Sequence, residues 1–440
     1  MPRRLAYEAL RSSADRPLLA LERLERAAEL EPRDLALARH IVATETRRRA
    51  TLRALVRLLC DRKPSADVAA HLHVGLVQLY FLNRIPDHAA VSETVASARH
   101  ALGHPKGRFV NAVLRKAVEL RREGPCDDPR RNLIGADRHV DATVFRDPNE
   151  HPLLWAEDAL SMPAPILKRW IERFGEPEAQ RLARAALLEP PLSLRARDQA
   201  SFDELRAELD SEGARPGGEP LILLVPVKAT ERALGCAAFV EGRATVQGGT
   251  AATAARLVEA SAGERILELC AAPGGKTLVL AESGASVVAA DVNPTRLERV
   301  RENLARAGLG AGVSLVACDG ASTLAPERFD AVLVDVPCSN TGVLAQRPDA
   351  RWRFGPKSQQ SLRELQTRLL AEAAERVRPG GRLVYSTCSL ERDEDEARVK
   401  VFLGEHADFE LVSERFAVPR PEAPPGPIDG GYAARLLRRE

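Results

Sequence analysis

Apolar residues recur every three to four positions along the first part of the chain, up to about residue 125. Residues 18–24 and 52–59 show this spacing with Arg and Glu in between, and an apolar run over 73–82 is broken at 83–86. This period is typical of helices that bury one face, and no alternating strand pattern accompanies it. We predict an all-α domain over residues 1–135.

The middle of the chain has a mixed pattern. A polar stretch from about 124 to 150 has little periodicity, and a helical pattern returns over about 163–188. We interpret residues 136–185 as a linker and helical segment. Short extended or apolar runs at 190–195, 221–225 and 237–240 predict strands, with a helix at 201–209. They indicate a small α+β module over 186–249.

From about residue 250 onward, predicted strands and helices alternate. This order is typical of a parallel α/β sheet, so we predict a Rossmann-like domain over 250–440. A long helix at 358–377 is expected to end before Gly380-Gly381, and the charged residues 391–396 are expected to begin a solvated helix. The predicted strands are 265–270, 286–291, 313–319, 331–335 and 382–387.

The net charge of +2 conceals an uneven distribution. Residues 1–135 hold 25 Lys and Arg against 16 Asp and Glu, whereas the remainder holds 39 against 46. A basic domain joined to an acidic one favours nucleic acid as a partner of the basic part, although Arg-rich helices also occur without one.

Other features exclude several classes of protein. No run approaches the ~18 uninterrupted apolar residues of a membrane span, and the start lacks the apolar segment of a secretory signal. The seven cysteines are scattered and odd in number, as is typical of a reduced cytoplasmic protein. His71 and His73 face different sides of a predicted helix, and no Cys-x-x-Cys occurs. We expect a cytoplasmic monomer without a metal or a membrane partner.

A glycine-rich turn follows the first predicted strand of the parallel sheet. Such a turn lets a ligand approach the backbone and exposes amides at the start of the next helix. Its spacing matches neither the three-glycine dinucleotide fingerprint nor the phosphate loop of nucleoside triphosphatases. The turn consists of Cys270, Ala271, Ala272, Pro273, Gly274, Gly275 and Lys276.

Asp291 and Asp319 end the second and third predicted strands. An acid at the first position accepts hydrogen bonds from ribose hydroxyls, and one at the second meets the adenine edge. Either residue alone would be interpreted as a helix N-cap. Because both lie on the same rim as the turn, they favour an adenosyl cofactor.

Two cysteines follow the last two predicted parallel strands. Cys338 comes shortly after Asp335, and Cys388 ends the next strand. Because these strands are neighbours in a doubly wound sheet, both thiols and Asp335 are expected on the cofactor rim. Cys60, Cys236, Cys270 and Cys318 are interpreted as buried small apolar residues.

A thiol, a carboxylate and an adenosyl methyl donor suit methylation at carbon 5 of a pyrimidine. That carbon is a poor nucleophile, and thiolate addition at carbon 6 activates it. A carboxyl group at ring nitrogen 3 stabilises the charge of the adduct. After methyl transfer a base removes the carbon-5 proton, and a second thiol helps the elimination. Position alone leaves open which cysteine attacks.

These motifs closely resemble the NOP2/Sun family of RNA cytosine-5 methyltransferases, which use S-adenosylmethionine. Residues 84–91 and 109–115 resemble the NusB-like RNA-binding domain that precedes the catalytic domain in the bacterial 16S rRNA type, RsmB (Sun/Fmu). The resemblance covers nearly the whole chain and implies 16S rRNA as the partner. The catalytic segments that carry it are 269–277, 335–339, 343–352, 386–389 and 429–436.

The resemblance also implies residue roles. Cys388 is the nucleophile, Cys338 assists product release, and Asp335 contacts the target base near the cofactor. Residues 270–276 line the methionine end of S-adenosylmethionine, with Lys276 also supporting the target side. Asp291 holds the ribose and Asp319 the adenine.

The chain departs from the family pattern at three places. Gly248 follows Val246-Gln247 where the family usually has an acidic residue. Gly431-Tyr432 stands where paired aromatic residues are common, and residues 44–49 lack the usual small-residue pattern. The first two differences concern target positioning, and the third concerns the RNA that the helical domain binds.

Three alternative functions remain at this point. The same chemistry on tRNA or at another rRNA site is the runner-up to 16S rRNA. A non-catalytic RNA-binding protein is disfavoured by the intact Cys338, Cys388 and Asp335. A nicotinamide dehydrogenase is disfavoured because the three-glycine fingerprint is absent.

Overall fold

The computed structural model describes residues 1–28, 30–326, 328–422, 426 and 428–440. The chain divides into two compact units. One comprises Met1–Leu188 with Arg347–Phe354, and the other comprises Glu189–Gln346 with Gly355–Glu440. The division at Leu188 lies close to the predicted boundary at residue 185, whereas the boundaries at 135 and 249 stay predictions.

The first unit is mainly helical, as predicted. The apolar run over 73–82 lies in a helix that ends at Phe81, and the next helix begins at Asp87, beyond the predicted break. Four helices of this unit begin at proline, whose fixed φ suits the first helical position. The helices are α1 (Pro2–Ser12), α2 (Pro17–Glu25), α3 (Pro32–Leu59), α4 (Ala66–Phe81), α5 (Asp87–Leu102), α6 (His104–Leu120), α7 (Pro152–Ala159), α8 (Ala164–Phe174) and α9 (Glu176–Ala185).

The core of this unit forms around α4, which is buried on nearly every side. Leu72, Leu76 and Tyr80 are fully enclosed. Gly75 permits a close approach between α4 and α6, because a Cβ at this position would lie 2.6 Å from the Leu114 side chain. His73 of α4 contacts the carboxylate of Glu45 on α3, with 3.0 Å between its Nδ1 and Glu45 Oε1.

Short regular elements that the sequence did not predict lie in and around the polar stretch at 124–150. Strands β1 (Arg121–Glu123) and β2 (Arg138–Val140) pair antiparallel, and α7 follows them. These elements escape prediction because three-residue strands and an eight-residue helix are too short to show a period.

The second unit begins with a four-stranded antiparallel sheet, as predicted for a small α+β module. The strands lie in the order β4-β5-β3-β6. The prediction of a strand at 237–240 is wrong, because this segment is a helix. A short apolar run does not distinguish a strand from a buried helix, and its two alanines favour the helix. The elements are β3 (Leu192–Ala196), α10 (Gln199–Leu209), β4 (Arg215–Pro216), β5 (Ile222–Val225), α11 (Thr230–Leu234), α12 (Ala237–Val240) and β6 (Ala244–Val246).

The predicted Rossmann-like sheet is confirmed. Seven strands lie in the order β12-β13-β11-β10-β7-β8-β9, with β7 to β11 parallel and the last two strands antiparallel. The elements are α13 (Gly249–Arg256), β7 (Arg265–Leu269), α14 (Gly275–Ala281), β8 (Ser286–Asp291), α15 (Pro294–Ala307), β9 (Val313–Ala317), β10 (Phe329–Asp335), α16 (Ala350–Arg353, in the first unit), α17 (Pro356–Glu375), β11 (Val377–Thr387), α18 (Glu396–Glu405), β12 (Phe409–Ala417) and β13 (Gly431–Arg438).

Several strand ends differ from the prediction. Cys270 and Asp319 lie just beyond β7 and β9, and Gly380-Gly381 lies inside β11. The sequence missed β12 and β13, which pair antiparallel with each other at the end of the sheet. Side chains of alternate residues pack on opposite faces of the sheet, so Leu267 and Ile266 belong to different apolar clusters.

The carboxyl ends of β10 and β11 carry the predicted chemistry. These strands are parallel neighbours, with Asp335 paired to Ser386. The predicted strand order is therefore confirmed, and both cysteine-containing loops leave the sheet at the same edge.

No helix among the described residues is long and apolar enough to cross a membrane. The seven cysteines are all free thiols.

Candidate active site

The two thiols that the sequence places at adjacent strand ends are in contact. Cys338 Sγ and Cys388 Sγ lie 3.1 Å apart. Cys338 is buried, with 8% of its surface exposed, whereas Cys388 is partly exposed. The partly exposed thiol is therefore the one open to a substrate.

Asn340 connects the two cysteines, and sequence reasoning did not single it out. Its Nδ2 donates to the Cys338 carbonyl oxygen at 2.8 Å, which turns Oδ1 toward Cys388. The Cys388 thiol donates to that Oδ1 at 3.3 Å. Asn340 has a φ of 60°, a left-handed conformation that Asn tolerates better than most residues. An Asn two residues after the first cysteine was the available signal.

The surroundings of Cys338 oppose its ionisation. The hydrogen bond between Cys338 and Cys388, together with burial, raises the pKa of the Cys338 thiol well above its ordinary value. Cys338 therefore remains protonated and can donate its S–H to the neighbouring sulfur.

Lys276 and Asp335 form an ion pair beside the thiols. Lys276 Nζ lies 2.6 Å from Asp335 Oδ2, and Ser386 Oγ donates to Asp335 Oδ1 at 2.7 Å. Burial opposes the charged form of Lys276, but Asp335, with smaller contributions from Glu268 and Cys388, keeps the Lys276 pKa above its ordinary value. The pair thus places a fixed cation and a fixed carboxylate next to the candidate nucleophile.

Glu268 is a buried carboxyl group that the sequence analysis did not identify. It lies on β7, is 1% exposed, and has a pKa raised to about 8, mainly by burial. Lys276 lowers this pKa, while Asp335 and Asp291 raise it. The signal in the sequence was an acidic residue inside the apolar strand.

The glycine-rich turn has the predicted position between β7 and α14. Cys270 and Gly274 have left-handed backbone conformations, with φ of 59° and 99°. A Cβ at Gly274 would lie 3.0 Å from a Val300 side-chain atom, so the turn requires glycine there. Burial raises the Cys270 pKa to about 12, so this thiol is a poor nucleophile.

Asp291 lies at the end of β8, directly beside the turn. Its Oδ2 accepts from the Ala272 amide at 3.2 Å and its Oδ1 accepts from the Asn293 amide at 3.0 Å. A carboxylate has about four acceptor positions, so both oxygens retain capacity for ribose hydroxyls. The donor set of this turn therefore fits an adenosyl cofactor.

Asp319 lies just beyond β9, at the same edge of the sheet as the glycine-rich turn, but its carboxylate is paired with a residue of α17. Its Oδ1 pairs with Arg368 Nη2 at 2.9 Å, and 68% of its side chain is exposed. The adenine contact assigned to it stays a prediction.

The prediction that residues 391–396 begin a solvated helix is wrong about their environment. The helix α18 does begin at Glu396, but Glu391, Glu394 and Asp395 are at most 1% exposed. The carboxyl groups of Glu394 and Asp395 are directed into the protein beneath the cysteine loops, where they accept hydrogen bonds.

Asp429 lies beside Gly248, the position at which the family usually has an acidic residue. A Cβ at Gly248 would lie 2.0 Å from Asp429 Oδ2, and Thr250 Oγ1 donates to Asp429 Oδ1 at 3.2 Å. Asp429 is 7% exposed. A carboxylate from the end of the chain thus occupies the space beside the glycine.

Comparison with known proteins identifies the family. A model of the 16S rRNA methyltransferase RsmB/F family matches residues 255–423, and a NusB family model matches residues 1–119. The chain is 33% identical to ribosomal RNA small subunit methyltransferase B of Vibrio cholerae, over 93% of this chain and 91% of that protein. It is 32% identical to the probable ribosomal RNA small subunit methyltransferase B of Bacillus subtilis, over 77% and 72%.

Solved structures show the same fold. The crystal structure of PH0851 covers 100% of this chain and 99% of its own, with a TM-score of 0.74 and 22% identity. NSun6 from Pyrococcus horikoshii, solved with SFG, covers 63% and 98%, with a TM-score of 0.52 and 20% identity.

These matches confirm the predicted NusB domain, the Rossmann-like methyltransferase fold and S-adenosylmethionine as the cofactor. The chain belongs to the ribosomal RNA small subunit methyltransferase B family and is an S-adenosylmethionine-dependent RNA methyltransferase.

Proposed function

We propose that this enzyme methylates carbon 5 of a cytosine in 16S rRNA through a covalent adduct between Cys388 and carbon 6. The observation that carries the proposal is the contact between Cys338 and Cys388 beside the Lys276–Asp335 pair. A methyltransferase that acts on a nucleophilic nitrogen or oxygen needs no thiol, whereas carbon 5 must first be activated.

Cys388 begins the reaction as the nucleophile. Its S–H proton passes to solvent and the sulfur bonds to carbon 6. The π electrons of the carbon 5–carbon 6 bond shift between carbons 4 and 5, and those of the carbon 4–nitrogen 3 bond move onto nitrogen 3. Lys276, which interacts electrostatically with Cys388, stabilises the thiolate. The Lys276–Asp335 pair stabilises the charge that develops at ring nitrogen 3 and supplies the proton that this nitrogen takes up.

The turn at residues 270–276 and Asp291 hold S-adenosylmethionine, which supplies an electrophilic methyl group when bound. Asp319 stays the proposed contact for the adenine side. Gly274 keeps the turn close to α15, so its backbone amides remain available to the cofactor.

Cys338 acts in the release step. A base removes the proton from methylated carbon 5, the carbon 5–carbon 6 double bond re-forms, and the bond from carbon 6 to sulfur breaks. Cys388 leaves as a thiolate. The protonated Cys338 donates its S–H to that sulfur across the 3.1 Å contact and stabilises the leaving group.

The substrate assignment rests on the relatives, which are named as small-subunit ribosomal RNA methyltransferases. The target cytosine must be unpaired or flipped out of its stack to reach Cys388. The NusB-like domain, with its excess of basic residues, supplies phosphate contacts of low sequence specificity. We propose that the enzyme acts in the cytoplasm.

Methyl transfer from labelled S-adenosylmethionine to deproteinised 16S rRNA, 23S rRNA and tRNA tests this function. We expect labelled 5-methylcytosine in 16S rRNA with the wild type and none with Cys388→Ala. Product in tRNA or 23S rRNA alone would overturn the substrate assignment, and a different methylated nucleoside would overturn the chemistry. Calorimetric binding of S-adenosylmethionine by both proteins is the control for folding.

A further inference from the structure

Two successive acidic residues lie buried beneath the cysteine loops. Glu394 and Asp395 precede α18 and are both 0% exposed. Each one accepts hydrogen bonds from a different cysteine-containing loop. This division suggests separate tasks for the two carboxylates.

Glu394 is linked to both sides of Cys338. Its Oε2 accepts from the backbone amide of Ser339 at 2.8 Å. The same oxygen accepts from Gln366 Nε2 at 3.3 Å, and this Nε2 also donates to the Pro337 carbonyl oxygen at 3.0 Å. The residues before and after Cys338 are therefore fixed by one buried carboxyl group.

Asp395 is linked to the other loop. Its Oδ1 accepts from Thr387 Oγ1 at 2.7 Å, and Thr387 directly precedes Cys388. The Tyr385 hydroxyl on β11 donates to the Glu394 carbonyl oxygen at 2.7 Å. The two loops are also joined directly, since Ser339 Oγ and Ser389 Oγ lie 3.1 Å apart and the Gly342 amide donates to the Cys388 carbonyl oxygen at 3.0 Å.

These bonds matter for geometry because buried, charge-assisted hydrogen bonds are short, directional and costly to lose. The thiol contact depends on two loops from different strands. A displacement of the Cys338 loop by a few tenths of an ångström weakens the S–H to sulfur contact, yet leaves Cys388 after β11 and Lys276 on α14 in place for the attack.

We propose that Glu394 is a positioning residue for the release step, because it holds the Cys338 loop at contact distance from Cys388. The inference rests on the proposed covalent mechanism. Glu394 acts through Ser339 and Gln366 and does not touch the reacting atoms. Asp395 performs the corresponding task for the attacking residue.

The test compares full-length variants incubated with 16S rRNA and labelled S-adenosylmethionine. Two quantities are measured, namely the covalent protein–RNA band on a denaturing gel and the released 5-methylcytosine. For Glu394→Ala we expect the ratio of adduct to product to rise about tenfold, because the Ser339 amide and the Gln366 side chain both lose a buried acceptor. Glu394→Gln retains an acceptor for Ser339 and should stay within about threefold of the wild type.

Further variants separate positioning from general damage. Asp393→Ala changes an adjacent acidic residue that pairs with Arg363 and is partly exposed, so its ratio should equal that of the wild type. Gln366→Met removes the link to Pro337 and should raise the ratio even if Glu394→Ala fails to fold. Asp395→Ala removes the acceptor for Thr387 and should reduce adduct formation without raising the ratio.

The outcomes distinguish the two proposals. Absence of both adduct and 5-methylcytosine with the wild type would overturn the proposed function. The second outcome assumes that the wild type forms 5-methylcytosine. If adduct and product then decline in equal proportion in Glu394→Ala and Gln366→Met, Glu394 has a general structural role. That result would overturn this inference.

Discussion

The Sγ atoms of Cys338 and Cys388 are 3.1 Å apart, although fifty residues separate them in the chain. Parallel pairing of β10 and β11 brings the two loops to one edge of the sheet. The buried thiol stays protonated, while the more exposed thiol meets the substrate. One sulfur can therefore attack and the other can stabilise its departure.

The thiol contact predicts reversible oxidation. Hydrogen peroxide should convert Cys338 and Cys388 to a disulfide, with loss of two protons and two electrons from the thiols and reduction of the peroxide to water. Methyl transfer should fall with formation of a crosslinked peptide containing both cysteines and return after treatment with dithiothreitol. Inactivation without this crosslink in a non-reduced peptide map would contradict the predicted proximity.

Asn340 should control the approach of Cys388. Asn340→Gly preserves the left-handed backbone but removes the acceptor for the thiol, so adduct formation should slow about three- to tenfold. Asn340→Asp places a negative charge beside the developing thiolate and should slow it at least about 100-fold. Single-turnover adduct formation measures both effects. Equal rates for the two variants would show that the side chain does not contact the nucleophile.

Glu268 should make stability depend on pH. Its pKa is raised from 4.5 to about 8 in the folded protein, so the folded state binds the extra proton between these values. Stability is therefore lost as the pH rises from about 4.5 to about 8. At pH 8.5 the free energy of unfolding of Glu268→Gln should exceed that of the wild type by about 1–3 kcal/mol, and its unfolding temperature should be higher. At pH 5.5 the difference should be smaller. A pH-independent difference would contradict this account.

Glu45 in the first unit should make folding stability depend on pH in the opposite direction. Burial opposes its charge, but Arg49 and His73 lower its pKa from 4.5 to about 2, with Arg49 Nη2 at 2.9 Å. Its stabilising effect is present above pH 4.5 and is lost as the pH falls toward 2. Glu45→Ala should cost about 3–5 kcal/mol in denaturant unfolding at pH 7 because it leaves a buried cation without its partner. A loss below 1 kcal/mol would show that the pair contributes little.

The sequence predicted the features that depend on local pattern and on parallel-sheet topology. The turn before Lys276, the strand ending at Asp291 and the adjacency of Cys338 and Cys388 all follow from strand-helix alternation. Neighbouring parallel strands end at one edge of a sheet, so motifs far apart in the chain could be placed together.

Features that depend on long-range packing were not predictable. The residues before α18 have the composition of a solvated segment, yet Glu394 and Asp395 are buried because both loops require acceptors there. The partner of Asp319 is Arg368, and no local pattern indicates this pairing. The burial of Glu268 and the position of Asp429 beside Gly248 likewise depend on contacts between distant parts of the chain.

The most direct test of the central claim is to trap the covalent intermediate and locate its bond. Cys338→Ala should accumulate a complex with 16S rRNA that survives a denaturing gel, and mass spectrometry of the digested complex should place a methylated cytosine on the peptide that contains Cys388. Cys338→Ala combined with Cys388→Ala should give no complex. A bond to another residue, or a complex that persists in the double variant, would contradict the assignment of Cys388 as the nucleophile.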